Sequence, residues 1–391
     1  MSIACVASAA AVAAGSTGIE PKLSKALTAP SLSLGRTAAL AVDVSTGAIV
    51  FAHNESLPVA PASNEKVPVS WAALTRLGVG YRFHTEVYGV GARAGAAWNG
   101  DLVLKGFGDP TLSTSDLDRL AAAIHGRGIR SVSGRVIGDE SFYDTKRGAA
   151  GWKPYFVGGE TPPLSALVVD RALGWPALSP PLLAARTFRD ALLRRGISVA
   201  GRPGLGVTPA AAETLASDVS DPLSQIVWRM NHESDNFYAE MLLKQLLAAT
   251  GKVGTSAGGG KLVVATMRDA GIPIGGVRIV DGSGLSSVDR LTAEALVGVI
   301  RAGATDPAIR AAFVGSLAVA GMSGTLSGRL PALRGKVRGK TGTTDLACTL
   351  SGLIRSTVAF AVLESGSPVS SWAARAAQDR FVTILASTPA A

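Results

Sequence analysis

Cysteine is nearly missing from this chain of 391 residues, which holds only Cys5 and Cys348. With Cys5 inside an apolar leader-like run, that scarcity excludes a disulfide framework and a cysteine-ligated metal site. Histidine is almost as rare. His53, His84, His125 and His232 show no H-E-x-x-H or comparable ligand spacing, so neither a metal nor another cofactor is expected. Runs of like charge are missing as well. The 38 Lys and Arg exceed the 29 Asp and Glu, giving a net charge of +9, but they are scattered singly and without interleaved aromatics. Such a surface favours anionic surroundings in general, and the pattern is that of a solvated basic surface with no nucleic-acid partner. Beyond the first residues no apolar run of about 20 occurs, so no membrane-spanning helix is expected there.

What the chain does have is a large apolar fraction, 47%, against 17% charged residues. That suffices for two or three domains, or for one large domain carrying an insertion. Residues 3–14 are apolar and small, and Gly15-Ser16-Thr17-Gly18 follows. This has the form of a secretory leader over residues 1–19, without the basic n-region, and implies an exported, extracytoplasmic protein in the periplasm or cell-wall space, free or membrane-associated.

Along the chain, Ala38–Val44 and Ala48–Ala52 flank Ser45-Thr46-Gly47 and predict an antiparallel hairpin. A loop with Pro58 and Pro61 leads to Ser63, where a helix starts that stops at Gly78 and should bend near Pro68. From about residue 81 to 220 short strands alternate with helices. We therefore expect an inserted domain over 86–219, dividing a catalytic domain made of 37–85 plus 220–391. Helices ending in Gly-Ile recur at Gly128-Ile129, Gly196-Ile197 and Gly271-Ile272, each followed by a glycine and then a strand, which is shared helix-stop chemistry. Ser115-x-x-Asp118 reads as a capping box. Asp221-Pro222 starts a helix whose pattern breaks at 231–236 and resumes at Phe237, placing Ser234 and Asn236 on a short connection. Residues 337–341, 348–354 and 357–363 read as neighbouring strands. A closing helix over 371–387 should turn Trp372, Phe381, Ile384 and Leu385 inward.

Three short motifs stand out against this background. Ser63-Asn64-Glu65-Lys66 puts an amine beside a hydroxyl on one side of a helix, as a serine nucleophile without a histidine base requires. Ser234-Asp235-Asn236 and Lys340-Thr341-Gly342 follow in order. Together they match the signature of the penicillin-recognising serine enzymes. Within that group the chain resembles the D-alanyl-D-alanine carboxypeptidase/endopeptidase family, penicillin-binding protein 4-like, peptidase family S13. Pro61-Ala62-Ser63, Gly106–Leu112, Asp281–Ser286 and Ala320–Leu326 support this branch, and the resemblance spans residues 37–366.

The resemblance implies an α/β (α+β) fold, with an antiparallel sheet flanked by helices and an inserted α/β domain shorter than the family usually carries. It also implies that Ser63 is acylated by the penultimate D-Ala of a peptidoglycan stem peptide, that terminal D-Ala leaves and that water hydrolyses the ester, with β-lactam antibiotics as covalent inhibitors. Lys66 is then the base, neutral through burial and a nearby cation, Lys340. Ser234 relays a proton, Asn236 holds a peptide amide, and Lys340 attracts a substrate carboxylate. Thr341 and Gly342 offer a strand edge on which an extended peptide can lie. By its family position Thr343 supplies a second oxyanion N–H. Asp281–Ser286 reads as a structural turn, and Asp109 and Glu160 as loop or cap residues.

Alternatives remain at this point. A β-lactamase of the same superfamily shares the motifs, but the class A E-x-x-L-N motif is absent, and Glu240-x-x-Leu243-Lys244 lies on the wrong side of Ser234. A P-loop fails because Arg334 stands where its first glycine should be and a strand follows Lys340-Thr341. A non-catalytic penicillin- or peptidoglycan-binding module would be acylated without turnover. Oligomeric state is not readable from these residues.

Overall fold

Strands at opposite ends of the sequence are built to pair, because each is apolar on both faces. The computed structural model describes residues 18–173, 175–176 and 179–387; the leader-like run and Cys5 lie outside them. In chain order the strands are β1 (Thr37–Asp43), β2 (Ile49–His53), β3 (His84–Ala94), β4 (Ala97–Gly106), β5 (Ser131–Val132) and β6 (Val136–Asp139). Then come β7 (Ser198–Val199), β8 (Gly204–Leu205), β9 (Glu213–Val219), β10 (Ala318–Val319), β11 (Val337–Thr343), β12 (Ala347–Ile354) and β13 (Val358–Ser365).

The main sheet runs β10-β11-β12-β13-β1-β2 and is antiparallel throughout. Along β1, Ala38, Leu40 and Val42 enter one core while Ala39 and Ala41 enter another, the period-two alternation of a strand covered on both faces. The first core is completed by helices Lys66–Leu77, Asn236–Ala248 and Ala293–Thr305, the second by Glu20–Ala26 and Ser371–Ser387. Helix Asn236–Ala248 is buried on every side, as its nearly continuous apolar sequence requires. Its polar members have partners: Lys244 Nζ donates to Asp144 and to Lys146 O, and Gln245 pairs with Tyr81 and Tyr143.

The second sheet runs β7-β5-β4-β3-β9, with β6 pairing β4 and β8. Its β3–β4 and β3–β9 pairs are antiparallel, and the pairs made by β5–β8 are parallel. Helices Thr114–Gly126 and Pro180–Arg194 share its core. Residues 140–173 belong to neither sheet and join the two cores. Ala166 and Val168 pack on the main-sheet side while Leu167 and Val169 pack on the other. An antiparallel sheet flanked by helices beside a mixed α/β sheet is thus the architecture.

Local expectations fare unevenly. The hairpin and the last three strands form where the sequence placed them. The helix-stop glycines Gly128, Gly196 and Gly271 take left-handed φ, although no strand follows the third. The capping box is Ser113 with Asp116, two residues before the expected pair, because Ser113 is the last extended residue before the helix. Trp372 is 81% exposed and does not face inward; it lies in the first turn, before the helix meets β12, whereas Phe381 and Leu385 are buried. Pro68 falls in the first turn of its α-helix, after a 3₁₀ turn over Ala62–Glu65, so the irregularity is a change of helix type at Lys66.

Candidate active site

Ser63 lies in that 3₁₀ turn, three residues before the α-helix proper, and the turn is fastened to the sheet by its buried neighbour Asn64. Asn64 Nδ2 donates to Thr349 Oγ1 at 2.6 Å, and its Oδ1 accepts from Ser351. Thr349 Oγ1 in turn donates to Pro61 O at 2.9 Å. Two glycines let other segments approach. A Cβ on Gly342 would lie 2.4 Å from Thr349 Oγ1 and 2.8 Å from Ser63 N, so β11 passes directly beside the serine. The bare strand therefore makes room for the serine's own turn as well as presenting an edge. A Cβ on Gly284, at φ +79, would lie 1.8 Å from Ala62 O. Gly284→Ala should accordingly destabilise the protein by roughly 3 kcal/mol or more, through left-handed strain plus overpacking. Thermal unfolding measures this, and an unchanged midpoint would contradict the close approach.

Lys66 is fully buried, and its amine has three neighbours. Nζ donates to Ser63 Oγ at 2.9 Å, Asn236 Oδ1 at 2.8 Å and Ser283 O at 2.8 Å. The orientation of Asn236 is fixed because its Nδ2 donates to Glu160 O at 3.1 Å. Burial lowers the Lys66 amine to about 8, against the opposing fields of Asp281, Glu240, Asp235 and Glu65. The cause differs from the sequence expectation: burial dominates at Lys66, and repulsion between the two amines registers at Lys340. Lys340, also fully buried, is held well below the usual lysine range by burial and then by Lys66.

Lys340 Nζ donates to Ser234 Oγ at 2.7 Å and to Thr341 O at 2.8 Å. Ser234 takes φ +62, an uncommon conformation for a residue with a side chain and one often found at functional sites. It sits between helices Leu223–His232 and Asn236–Ala248, where Asp235 caps the second by accepting from Tyr238 N. Beyond Lys340, Thr341 is half-buried and Thr343 exposed; β10 pairs only as far as Gly339, so the β11 edge is open from there. The sequence-derived site residues are thus brought together: Ser63, Lys66 and Asn236 by the Lys66 amine, Ser234 by Lys340, and Lys340, Thr341, Gly342 and Thr343 along β11, which passes beside Ser63.

Other contributors were not anticipated. The carbonyl of Ser283 reaches Lys66 because Glu240 Oε1 accepts from Gly282 N and Ser283 N, at 2.9 and 2.8 Å. Asp281 accepts from Gly284 N, Ser286 N and Trp152 Nε1. Asp281–Ser286 is therefore the expected structural turn, and it also delivers a ligand to the lysine. Glu65 is buried with both carboxylate oxygens unpartnered among the described residues. Burial, then Asp281 and Glu240, push it well above the usual carboxylate range. Glu240 is likewise raised to about 8 by burial and by Asp281.

Comparison with known proteins identifies the family. The model of the D-Ala-D-Ala carboxypeptidase 3 (S13) family matches residues 19–181 and 173–388. Carboxypeptidase DacB of Mycolicibacterium smegmatis is 32% identical over 370 residues, covering 86% of this chain and 76% of that protein. The D-alanyl-D-alanine carboxypeptidase of an Actinomadura species is 29% identical over 425 residues, covering 86% and 79%. Penicillin-binding protein 4 of Haemophilus influenzae shares the fold at a TM-score of 0.82 and 20% identity, covering 94% of this chain and 99% of that one. The same protein has been solved with a β-lactam, at a TM-score of 0.75. The chain belongs to the D-Ala-D-Ala carboxypeptidase 3 (S13) family and is a carboxypeptidase of the penicillin-binding type.

Proposed function

We propose that Ser63 attacks the carbonyl of the penultimate D-alanine of a peptidoglycan stem peptide, with Lys66 as its base. One observation carries this reading. Of the three groups around the Lys66 amine, Asn236 Oδ1 and Ser283 O can only accept, and only Ser63 has a proton to give. A neutral amine would satisfy the two acceptors with its N–H groups, leaving its lone pair to face the serine hydroxyl.

The backbone N–H groups of Ser63 and Thr343 would hold the oxyanion, since β11 runs beside the serine. Ser234, held by Lys340, relays to the departing D-alanine nitrogen the proton that Lys66 took from Ser63, so both return to their starting protonation, and Asn236 and the β11 edge position the peptide. Water then hydrolyses the Ser63 ester, the amine acting as base again. A β-lactam ring carbonyl would acylate the same hydroxyl, which accords with the β-lactam bound by the Haemophilus relative. Endopeptidase cleavage of cross-links needs the same acyl donor and belongs to the same reading. The leader-like sequence of residues 3–14 supports action outside the cytoplasm, where this polymer lies.

The test mixes purified protein with a fluorescent penicillin and, separately, with a peptide ending in D-Ala-D-Ala. Covalent labelling and release of one D-alanine are expected. Because the base must be neutral, kcat/KM should fall about tenfold per pH unit below about 8. Labelling without release would leave only a penicillin-binding module; no labelling would overturn the nucleophile assignment.

A further inference from the structure

The turn that carries Ser234 and Asn236 is gripped from outside its own helices. Asp235, between them, accepts from Tyr238 N with one carboxylate oxygen and from Arg171 Nη1 with the other, at 3.0 and 2.8 Å. Arg171 belongs to the segment that joins the two cores, and its guanidinium also lies over the rings of Phe237 and Tyr238, 5.3 and 5.8 Å from their centroids. The residue before it pulls the opposite way. The Asp170 carboxylate accepts from Thr114 N at 3.1 Å and from Thr114 Oγ1, in the first turn of the helix Thr114–Gly126 of the second core. Asp170, Arg171 and Ala172 take left-handed φ of +46, +55 and +58, a costly run for residues with side chains. Such a run persists only where its surroundings fix it, and the two opposed grips do so here. The ion pair itself, with side chains 45% exposed at Arg171 and 16% at Asp235, adds little to stability. Its effect is to set where the turn stands.

We propose that Arg171 is a positioning residue for the reaction, holding the Ser234–Asn236 turn against Lys66 and Lys340 so that the second core takes part in catalysis. The inference rests on the reading of Ser234 as the proton relay and of Asn236 as a holder of the peptide. Arg171 acts through Asp235. Ser234 Oγ must stay on Lys340 Nζ and Asn236 Oδ1 on Lys66 Nζ, and both residues flank the carboxylate that Arg171 holds. Charge follows the same route. Lys66 is faced by the carboxyl groups of Asp281, Glu240, Asp235 and Glu65, each favouring its charged form, and by the amine of Lys340, with which it shares a mutual repulsion. Arg171 offsets the Asp235 member of that set. Without the guanidinium, Lys66 keeps its proton to higher pH.

The experiment follows two rates against pH: covalent labelling by a fluorescent penicillin, and D-alanine release from a peptide ending in D-Ala-D-Ala. The variants are Arg171→Ala, Arg171→Lys, Asp235→Asn, which keeps a helix-capping side chain, and Arg171→Ala combined with Asp235→Asn. On the plateau above the acid limb, Arg171→Ala should slow both rates roughly tenfold to a hundredfold, the scale of a small misplacement of reacting groups. Its thermal midpoint should fall by no more than about 4 °C. The acid limb of Arg171→Ala should move to higher pH and that of Asp235→Asn to lower pH. The double variant should match Asp235→Asn in limb and rate, because the arginine then has nothing to hold. Arg171→Lys should keep the wild-type limb and recover part of the rate, since an ammonium carries the charge without the planar fork. An unmoved limb in Arg171→Ala, a larger drop in its midpoint, a double variant whose losses add, or Arg171→Ala at the wild-type rate would each overturn the proposal. The first two together would mark a merely structural arginine. If the wild type took label but released no D-alanine, the proposed turnover alone would fail, and the labelling rates would still decide the role of Arg171. Wild type that took no label would end both.

Discussion

Ser63→Ala should abolish covalent labelling by penicillin and lower D-alanine release by at least about 10⁴-fold, the order seen when a catalytic nucleophile is removed. The fold should survive the change. Among the described residues Ser63 Oγ is bonded to Lys66 Nζ alone, and that amine keeps Asn236 Oδ1 and Ser283 O as partners. The stability cost should therefore stay at about 1 kcal/mol, the net worth of one hydrogen bond. Labelling at the wild-type rate in this variant would disprove the assignment, and the thermal midpoint shows whether any loss is global.

Lys66→Met should produce the next largest loss, about 10² to 10⁴-fold in the acylation rate, the usual contribution of a general base. Methionine keeps an unbranched stem in the buried channel but carries no proton acceptor of comparable strength. Lys66→Arg is the sharper control, because a guanidinium keeps the positive charge yet cannot be deprotonated in this range. If the amine served only as a fixed charge, the arginine variant would retain activity; if it is the base, both variants fail and raising the pH rescues neither. Activity within tenfold of wild type in either variant would move the base elsewhere.

The side chains of the site were legible in the sequence because each motif is local. Ser63 and Lys66 share one face of a helix, Ser234 and Asn236 frame a break between helices, and Lys340 to Thr343 lie on a strand. What holds them was not legible. Asn64 and Thr349 meet across 285 residues of sequence, and neither type is unusual where it stands. The carbonyl of Ser283 leaves no trace in residue type, since every residue carries one; only the glycines around it hint that backbone comes close. Burial of Lys66 was inferred correctly, but Lys340 was credited with what depth alone does, because sequence gives proximity more readily than solvent exclusion. Trp372 departs from the helical pattern for a related reason: large apolar size does not imply burial at the end of an element.

The pairing of β1 with β13 bears on when the protein becomes active during synthesis. A nascent chain carries Ser63 and Lys66 early, yet its first strand has one lasting neighbour, β2, until residues 358–365 exist. Both Ser234 and the strand of Lys340 also arrive late. Contacts so distant in sequence are slow to close, and the partial chain exposes strand edges meanwhile. Any product truncated before β13 would hold the nucleophile without the sheet that shapes it. Hydrolytic power is thus withheld until almost the whole polypeptide has been made.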